Sequence, residues 1–169
     1  MESVLAGALR VRCLTGAKAA LGDVPASIVS CAGATVMAAL DTACPSMDSL
    51  KEKRELVVGL GMLGLLAVEA ALRAGAAVTA TDPNSHRRRY AAQLGACISG
   101  FSDFDPALDI VENFDVALEF SGSPQGVITC LKPLDINGVA VLAGSVADSP
   151  AIDLPRMDCP RLAHCYRRA

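Results

Sequence analysis

The stretch from Glu55 to Asp82, ELVVGLGMLGLLAVEAALRAGAAVTATD, constrains the fold more than any other part of the chain. Leu56, Val57 and Val58 form a short apolar run suited to a strand buried on both faces. Gly59, Gly61 and Gly64 follow as G-x-G-x-x-G, with Met62 and Leu63 inside the turn. Leu65 to Arg73 carries Leu, Ala, Val and Glu without a breaker, which predicts a helix. Gly75 supplies a left-handed stop. Ala77 to Thr81 reads as a second strand, with Asp82 at its carboxyl end. In a dinucleotide site the first glycine permits the sharp turn, the second lets a pyrophosphate approach the backbone, and the third lets the helix pack close to the sheet. The free N–H groups at the helix start then face the phosphates. Asp82 follows at the ~20-residue spacing expected of an acid that accepts hydrogen bonds from ribose hydroxyls. A glycine turn serving only helix–strand packing is the bland alternative. The strand before it, the helix after it and the acid beyond it weigh against that.

The other segments repeat the alternation. Ser30 to Leu40, SCAGATVMAAL, has helical composition after Gly33, and Thr42 to Lys53 reads as a loop or a short helical turn. Pro83 and Asn84 make a turn before a helix over Ser85 to Leu94, which Gly95 ends. Cys97 and Ile98 suggest a third strand, and Asp115 to Phe120 a fourth. Pro124 suits the first turn of a helix reaching about Lys132. Asn137-Gly138 reads as a turn before a fifth strand over Val139 to Ala143. The fold class is therefore α/β, a doubly wound parallel sheet of Rossmann-like type. Five strands are read and a sixth is not assigned. Ligands in such sheets sit at the carboxyl ends of the strands. Three ends converge there: Gly59–Gly64, Ser121–Gly122–Ser123 and Gly144–Ser145–Val146.

Composition narrows the function classes. The chain of 169 residues is 52% apolar but only 4% aromatic, as Ala-rich helices on a parallel sheet would be. A net charge of −3 and a pI near 5.3 argue against a nucleic-acid surface. No apolar run is long enough for a membrane span. The seven cysteines are odd in number, widely spaced and free of C-x-x-C, which indicates a reducing, cytoplasmic compartment. Asp103, Asp105, Asp109 and Glu112 lack the spacing of a calcium loop, and Cys159, His164 and Cys165 match no compact zinc pattern. Residues 1–30 are irregular, 31–146 form the dinucleotide-binding domain, and 147–169, with Pro150, Pro155, Pro160 and several arginines, read as an irregular tail.

The segments SCAGATVMAAL, VVGLGMLG with Asp82, FDVALEFSGS and GVAVLAGSV also resemble, in that order, the coenzyme domain of the zinc-dependent medium-chain alcohol dehydrogenases. The resemblance implies an NAD-binding domain of an oxidoreductase that moves hydride between an alcohol or aldehyde and a nicotinamide cofactor. It implies that Cys31 is a zinc ligand and that Thr35 lies beside the nicotinamide as a catalytic residue. It places Gly59, Gly61, Met62, Leu63 and Gly64 at the pyrophosphate, and Asp82 and Arg87 at the adenosine ribose. It places Ser121, Gly122, Gly144, Ser145 and Val146 along the cofactor cleft. NAD is favoured over NADP because the Asp82 charge repels a 2′-phosphate, although the run Arg87–Arg88–Arg89 pulls the other way. The family's preceding GroES-like domain and further zinc ligands have no counterpart in these residues. Residues 1–30 then read as the remnant of a junction, and the chain as catalytically incomplete. Pairing of two copies through a sheet edge is implied as well. Two other classes compete: a non-catalytic nucleotide-binding or interaction module, and a methyltransferase, which also uses a glycine turn and an acid after its second strand.

Overall fold

The computed structural model describes residues 23–100, 113–144 and 162–164. The chain divides into two compact units, Met1–Thr35 and Val36–Ala169. A helix, α1, runs Asp23–Ala43, and a 3-10 turn follows at Met47–Leu50. The remaining elements are β1 Arg54–Val58, α2 Met62–Arg73, β2 Ala77–Thr81, α3 Ser85–Leu94, β3 Cys97–Ile98, β4 Phe114–Glu119, α4 Pro124–Leu131, β5 Leu134–Leu142 and β6 Leu162–His164.

Six strands pair in parallel in the order β3-β2-β1-β4-β5-β6. This is the doubly wound sheet expected from the alternation. Its order reverses between β1 and β4, which leaves a crevice at the carboxyl ends of those strands. Side chains alternate across the sheet. In β1, Val57 faces a core that includes Val36, Leu40 and Leu50 with Val68 of α2 and Ala91 of α3. Leu56 and Val58 face a smaller core with Val127, Cys130 and Leu131 of α4. All three β1 residues are fully buried, and each such aliphatic side chain contributes about 1.5–3 kcal/mol.

The helices begin and end where the local chemistry dictates. Asn84 caps α3 by accepting from the His86 and Arg87 N–H groups, and Gly95 closes it at φ 108°. Ser123 caps α4 by accepting from the Gly126 N–H, with Pro124 in the first turn. Gly75, just beyond α2, has φ 87°, the left-handed stop read from the sequence.

Three readings change. The helix α1 begins at Asp23, seven residues before Ser30, so Gly33 and the β-branched pair Thr35–Val36 are interior to it. Asn137-Gly138 lies inside β5 rather than before it. There the register slips, with Phe114 opposite Leu134 but Val116 opposite Val139, so the extra residues bulge within one strand. Gly138 is required at that bulge, since a Cβ would come within 2.6 Å of Leu134 Cγ. A sixth strand also exists. Leu162–His164, within the segment read as an irregular tail, pairs with Ala140–Leu142. Three residues are too few to show a period, and Pro160 masks the strand that starts just after it.

Candidate functional site

The glycine turn carries each of its three expected roles in a different way. Gly59 has φ 90°, and a Cβ there would lie 2.5 Å from the Ser121 backbone nitrogen. The β1 and β4 loops therefore touch through bare backbone. Gly64 packs so tightly that a Cβ would overlap the Gly59 carbonyl oxygen. At Gly61 a Cβ would meet nothing within 4 Å. Space lies open over the one glycine where a phosphate needs to approach. Gly61 is also the N-cap of α2, and among the described residues no side chain caps the first N–H groups of that helix. Those donors and the positive end of the helix dipole are the elements of an anion site. Met62 in the turn is 54% exposed, and Leu63 is partly buried.

Asp82 flanks this turn from the β2 side. It is buried, and its Oδ2 accepts from the Leu60 N–H at 2.7 Å while Oδ1 accepts from the Asn84 N–H at 2.7 Å. The acid thus holds the glycine turn as well as standing beside it. The Arg87 guanidinium lies 3.5 Å from Asp82 Oδ2, and Arg88 donates to the Asp82 carbonyl at 2.6 Å. The basic run that opens α3 is folded back onto the acid it follows in sequence.

Glu119 flanks the turn from the β4 side and was not among the residues expected at the site. It is fully buried at the last position of β4. Its Oε1 accepts from the Ser121 N–H at 2.6 Å, the Gly122 N–H at 3.0 Å and the Ser121 hydroxyl. Its backbone carbonyl accepts from Ala143 and Gly144, both at 2.9 Å. A Cβ on Gly144 would overlap Glu119 Oε2 and the Gly122 nitrogen. One residue therefore holds the loops after both β4 and β5. The Ser121 and Ser123 hydroxyl oxygens are 3.0 Å apart. Because Ser121 gives its proton to Glu119, Ser123 donates in that pair. The sequence offers only a weak pointer, an acid near the end of an apolar strand with Phe120 between it and Ser121-Gly122-Ser123.

The expected site residues Gly59, Gly61, Met62, Leu63, Gly64, Asp82, Arg87, Ser121, Gly122 and Gly144 all lie on the carboxyl-end loops, or on the helix turns that follow them, in one unit. Ser145 and Val146 lie outside the described residues. Cys31 and Thr35 belong to the first unit. There Cys31 is exposed, and the Thr35 hydroxyl donates to the Cys31 carbonyl one turn back at 3.1 Å. Among the described residues no three His, Cys, Asp or Glu side chains gather as a metal site. Zinc catalysis needs about three protein ligands and an open position, so Cys31 alone does not fit a catalytic zinc.

A third acid lies at the opposite end of the sheet. Glu55, in β1, is fully buried on the Val57 face, with Val78 and Val116 opposite it on the flanking strands. Among the described residues neither carboxyl oxygen has a hydrogen-bond partner. Burial pushes its pKa up to about 8.

The profile of the zinc-binding dehydrogenase family matches residues 63–164, more than half of the chain. The L-threonine 3-dehydrogenase of Legionella pneumophila (strain Corby) is 32% identical over 105 residues, which cover 58% of this chain and 31% of that protein. The corresponding enzyme of Burkholderia cenocepacia (strain HI2424) is 33% identical over the same length. This chain thus spans about a third of the curated relatives it matches. Among solved structures, acetophenone reductase from Geotrichum candidum in complex with NAD superposes with a TM-score of 0.71 at 25% identity, covering 85% of this chain and 41% of that one. L-idonate 5-dehydrogenase from Escherichia coli superposes with a TM-score of 0.63 at 26% identity, over 79% of this chain and 39% of that one. A glycine turn of this geometry, an acid at the end of β2, and a match that runs from the turn to β6 agree: the chain belongs to the zinc-binding dehydrogenase family, as its Rossmann-type dinucleotide-binding domain.

Proposed function

We propose that this chain binds NAD and forms the cofactor half of a dehydrogenase acting on small-molecule alcohols or the corresponding carbonyl compounds. The observation that carries the proposal is the open space over Gly61 at the uncapped start of α2. Gly61, Met62 and Leu63 would hold the pyrophosphate, Asp82 the adenosine ribose, and Ser121, Gly122 and Gly144 the far half of the dinucleotide. The bound cofactor supplies the hydride acceptor. The protein supplies N–H donors, a buried acid and a crevice that orders the two halves.

NAD is preferred over NADP because Asp82 presents a buried acid where a 2′-phosphate would sit. Arg87 is already paired with that acid, which leaves it less free to receive a phosphate. Relatives take both cofactors: acetophenone reductase is in complex with NAD, and a zinc-binding dehydrogenase from Sinorhizobium meliloti is bound to NADP. Calorimetry with NADH and NADPH tests the choice. NADH is expected to bind the more tightly, and absence of binding by either at millimolar concentration defeats the proposal.

A second reading, nucleotide binding without turnover, is favoured by the lack of a metal-ligand cluster among the described residues. An alcohol-oxidation assay with added zinc separates the two. Sustained NADH formation by this chain alone rejects the second reading. The buried, unpaired thiols of Cys44 and Cys130 support a reducing, cytoplasmic setting.

A further inference from the structure

The Glu119 carboxylate does more than fill the end of β4. It sits where three loops meet, and each is tied to it or to what it holds. The β4 loop is gathered by three donors onto Oε1. The β5 loop is fastened through the Glu119 carbonyl and packs its Gly144 backbone against Oε2. The β1 turn touches the same assembly, since Gly59 lies against the Ser121 backbone. The Gly126 backbone in the first turn of α4 also closes on it, where a Cβ would lie 2.9 Å from Oε1.

Such a carboxylate is costly to bury, and three donors on Oε1 offset part of that cost. The donors are amides and a hydroxyl of the very loop whose placement matters. No Lys or Arg pairs with Glu119 among the described residues, and its Oε2 has no hydrogen-bond partner there. The Glu119 charge in turn acts on its neighbours. Together with burial, which dominates, it pushes the Cys130 thiol pKa up.

The topology states which half of a dinucleotide this serves. Asp82 directly follows β2, on one side of β1, where the adenosine ribose is expected. Glu119 ends β4, on the other side. The two halves of a dinucleotide lie on opposite sides of that reversal. Resting on the NAD-binding reading above, we propose that Glu119 is a positioning residue. It draws the Ser121–Gly122 and Gly144 loops into the shape that receives the nicotinamide half of the cofactor.

The test compares NADH with ADP, which carries only the adenosine half and the phosphates, on the full 169-residue chain. Glu119→Gln keeps the size but removes the charge that gathers three donors. It is expected to weaken NADH binding about tenfold while leaving ADP within about twofold of the wild type. Glu119→Asp withdraws the carboxylate by one methylene and is expected to show the same split. Thermal unfolding monitors both variants. Equal losses for NADH and ADP, or no loss for either in a folded variant, overturn the positioning role. Failure of both variants to fold assigns Glu119 to the core and overturns it too. Wild-type protein that binds neither ligand defeats the NAD reading itself, whereas the variant series defeats only the role of Glu119.

Discussion

The two ends of the parallel sheet bury carboxyl groups in opposite ways. At the carboxyl end, Asp82 and Glu119 are both out of water, and both accept N–H groups from the loops around them. At the amino end, Glu55 is equally buried and accepts nothing. The ion pairs at that end are exposed or half-exposed: Lys53 and Arg54 lie 3.6 Å from Asp115, and Arg54 lies 3.4 Å from Asp135. Burial alone is thus not a sign of function. An acid that gathers backbone donors shapes a loop, whereas an acid buried among valines with no partner is pushed toward its neutral form.

The largest effect should come from removing the unpartnered acid. Glu55 holds its proton in the native state up to about pH 8, but the unfolded chain gives it up near the ordinary value of 4.5. The native state therefore binds more protons between those values, and stability falls as pH rises through that window. The Glu55 contribution is complete below pH 4.5 and is lost by pH 8. Glu55→Met should raise stability at pH 8 by about 3–5 kcal/mol and remove most of that slope. Urea unfolding at pH 5 and pH 8 reads it. A wild-type stability that does not fall between those values breaks the contrast between the two ends.

Asp82→Ala should be next. It removes a charged acceptor from a ribose and strands the Leu60 N–H, so NADH should bind about 1–3 kcal/mol more weakly and stability should drop by a similar amount. Unchanged affinity by calorimetry would remove Asp82 from the site. The glycine turn sharpens the comparison further, because its members differ. Gly64→Ala meets the Gly59 carbonyl and should cost about 1–3 kcal/mol of stability. Gly61→Ala meets nothing, so its stability should stay within about 0.5 kcal/mol of wild type, while NADH affinity falls because the new methyl fills the phosphate's space. If Gly61→Ala binds NADH normally, the space above it is not the cofactor site.

The smallest effect belongs to the surface pairs. Partial burial would by itself raise the Asp115 pKa, but the Arg54 amide and the Lys53 and Arg54 charges outweigh it and hold the group below its ordinary value. Its contribution is present above that ordinary value and lost as pH falls through the lowered one. Asp115→Asn should cost no more than about 1 kcal/mol at neutral pH, less at high salt. A larger loss would show that the amino end is held by charge after all.

Much of this site was legible because its parts obey spacing. Asp82 follows a glycine turn, a helix and a strand of standard lengths, so its place can be read from the sequence alone. Glu119 has no such ruler. DVALEF reads only as a strand, and nothing in the pattern says that its acid turns inward to collect Ser121 and Gly122. Glu55 was hidden for a related reason, since an acid after Lys53-Arg54 at a strand entry looks solvated. The early start of α1 was obscured because Gly33, Thr35 and Val36 are weak helix formers that tertiary packing overrides. The short β6 was invisible because pairing with β5, not its own composition, makes it a strand.

The neutral Glu55 has a thermochemical consequence. A chain that folds near neutral pH must collect a proton from its surroundings, and the buffer must release it. The heat measured on unfolding then includes the ionisation enthalpy of whichever buffer takes the proton back. Scans in two buffers of different ionisation enthalpy should disagree for the wild type and converge when residue 55 carries no acid.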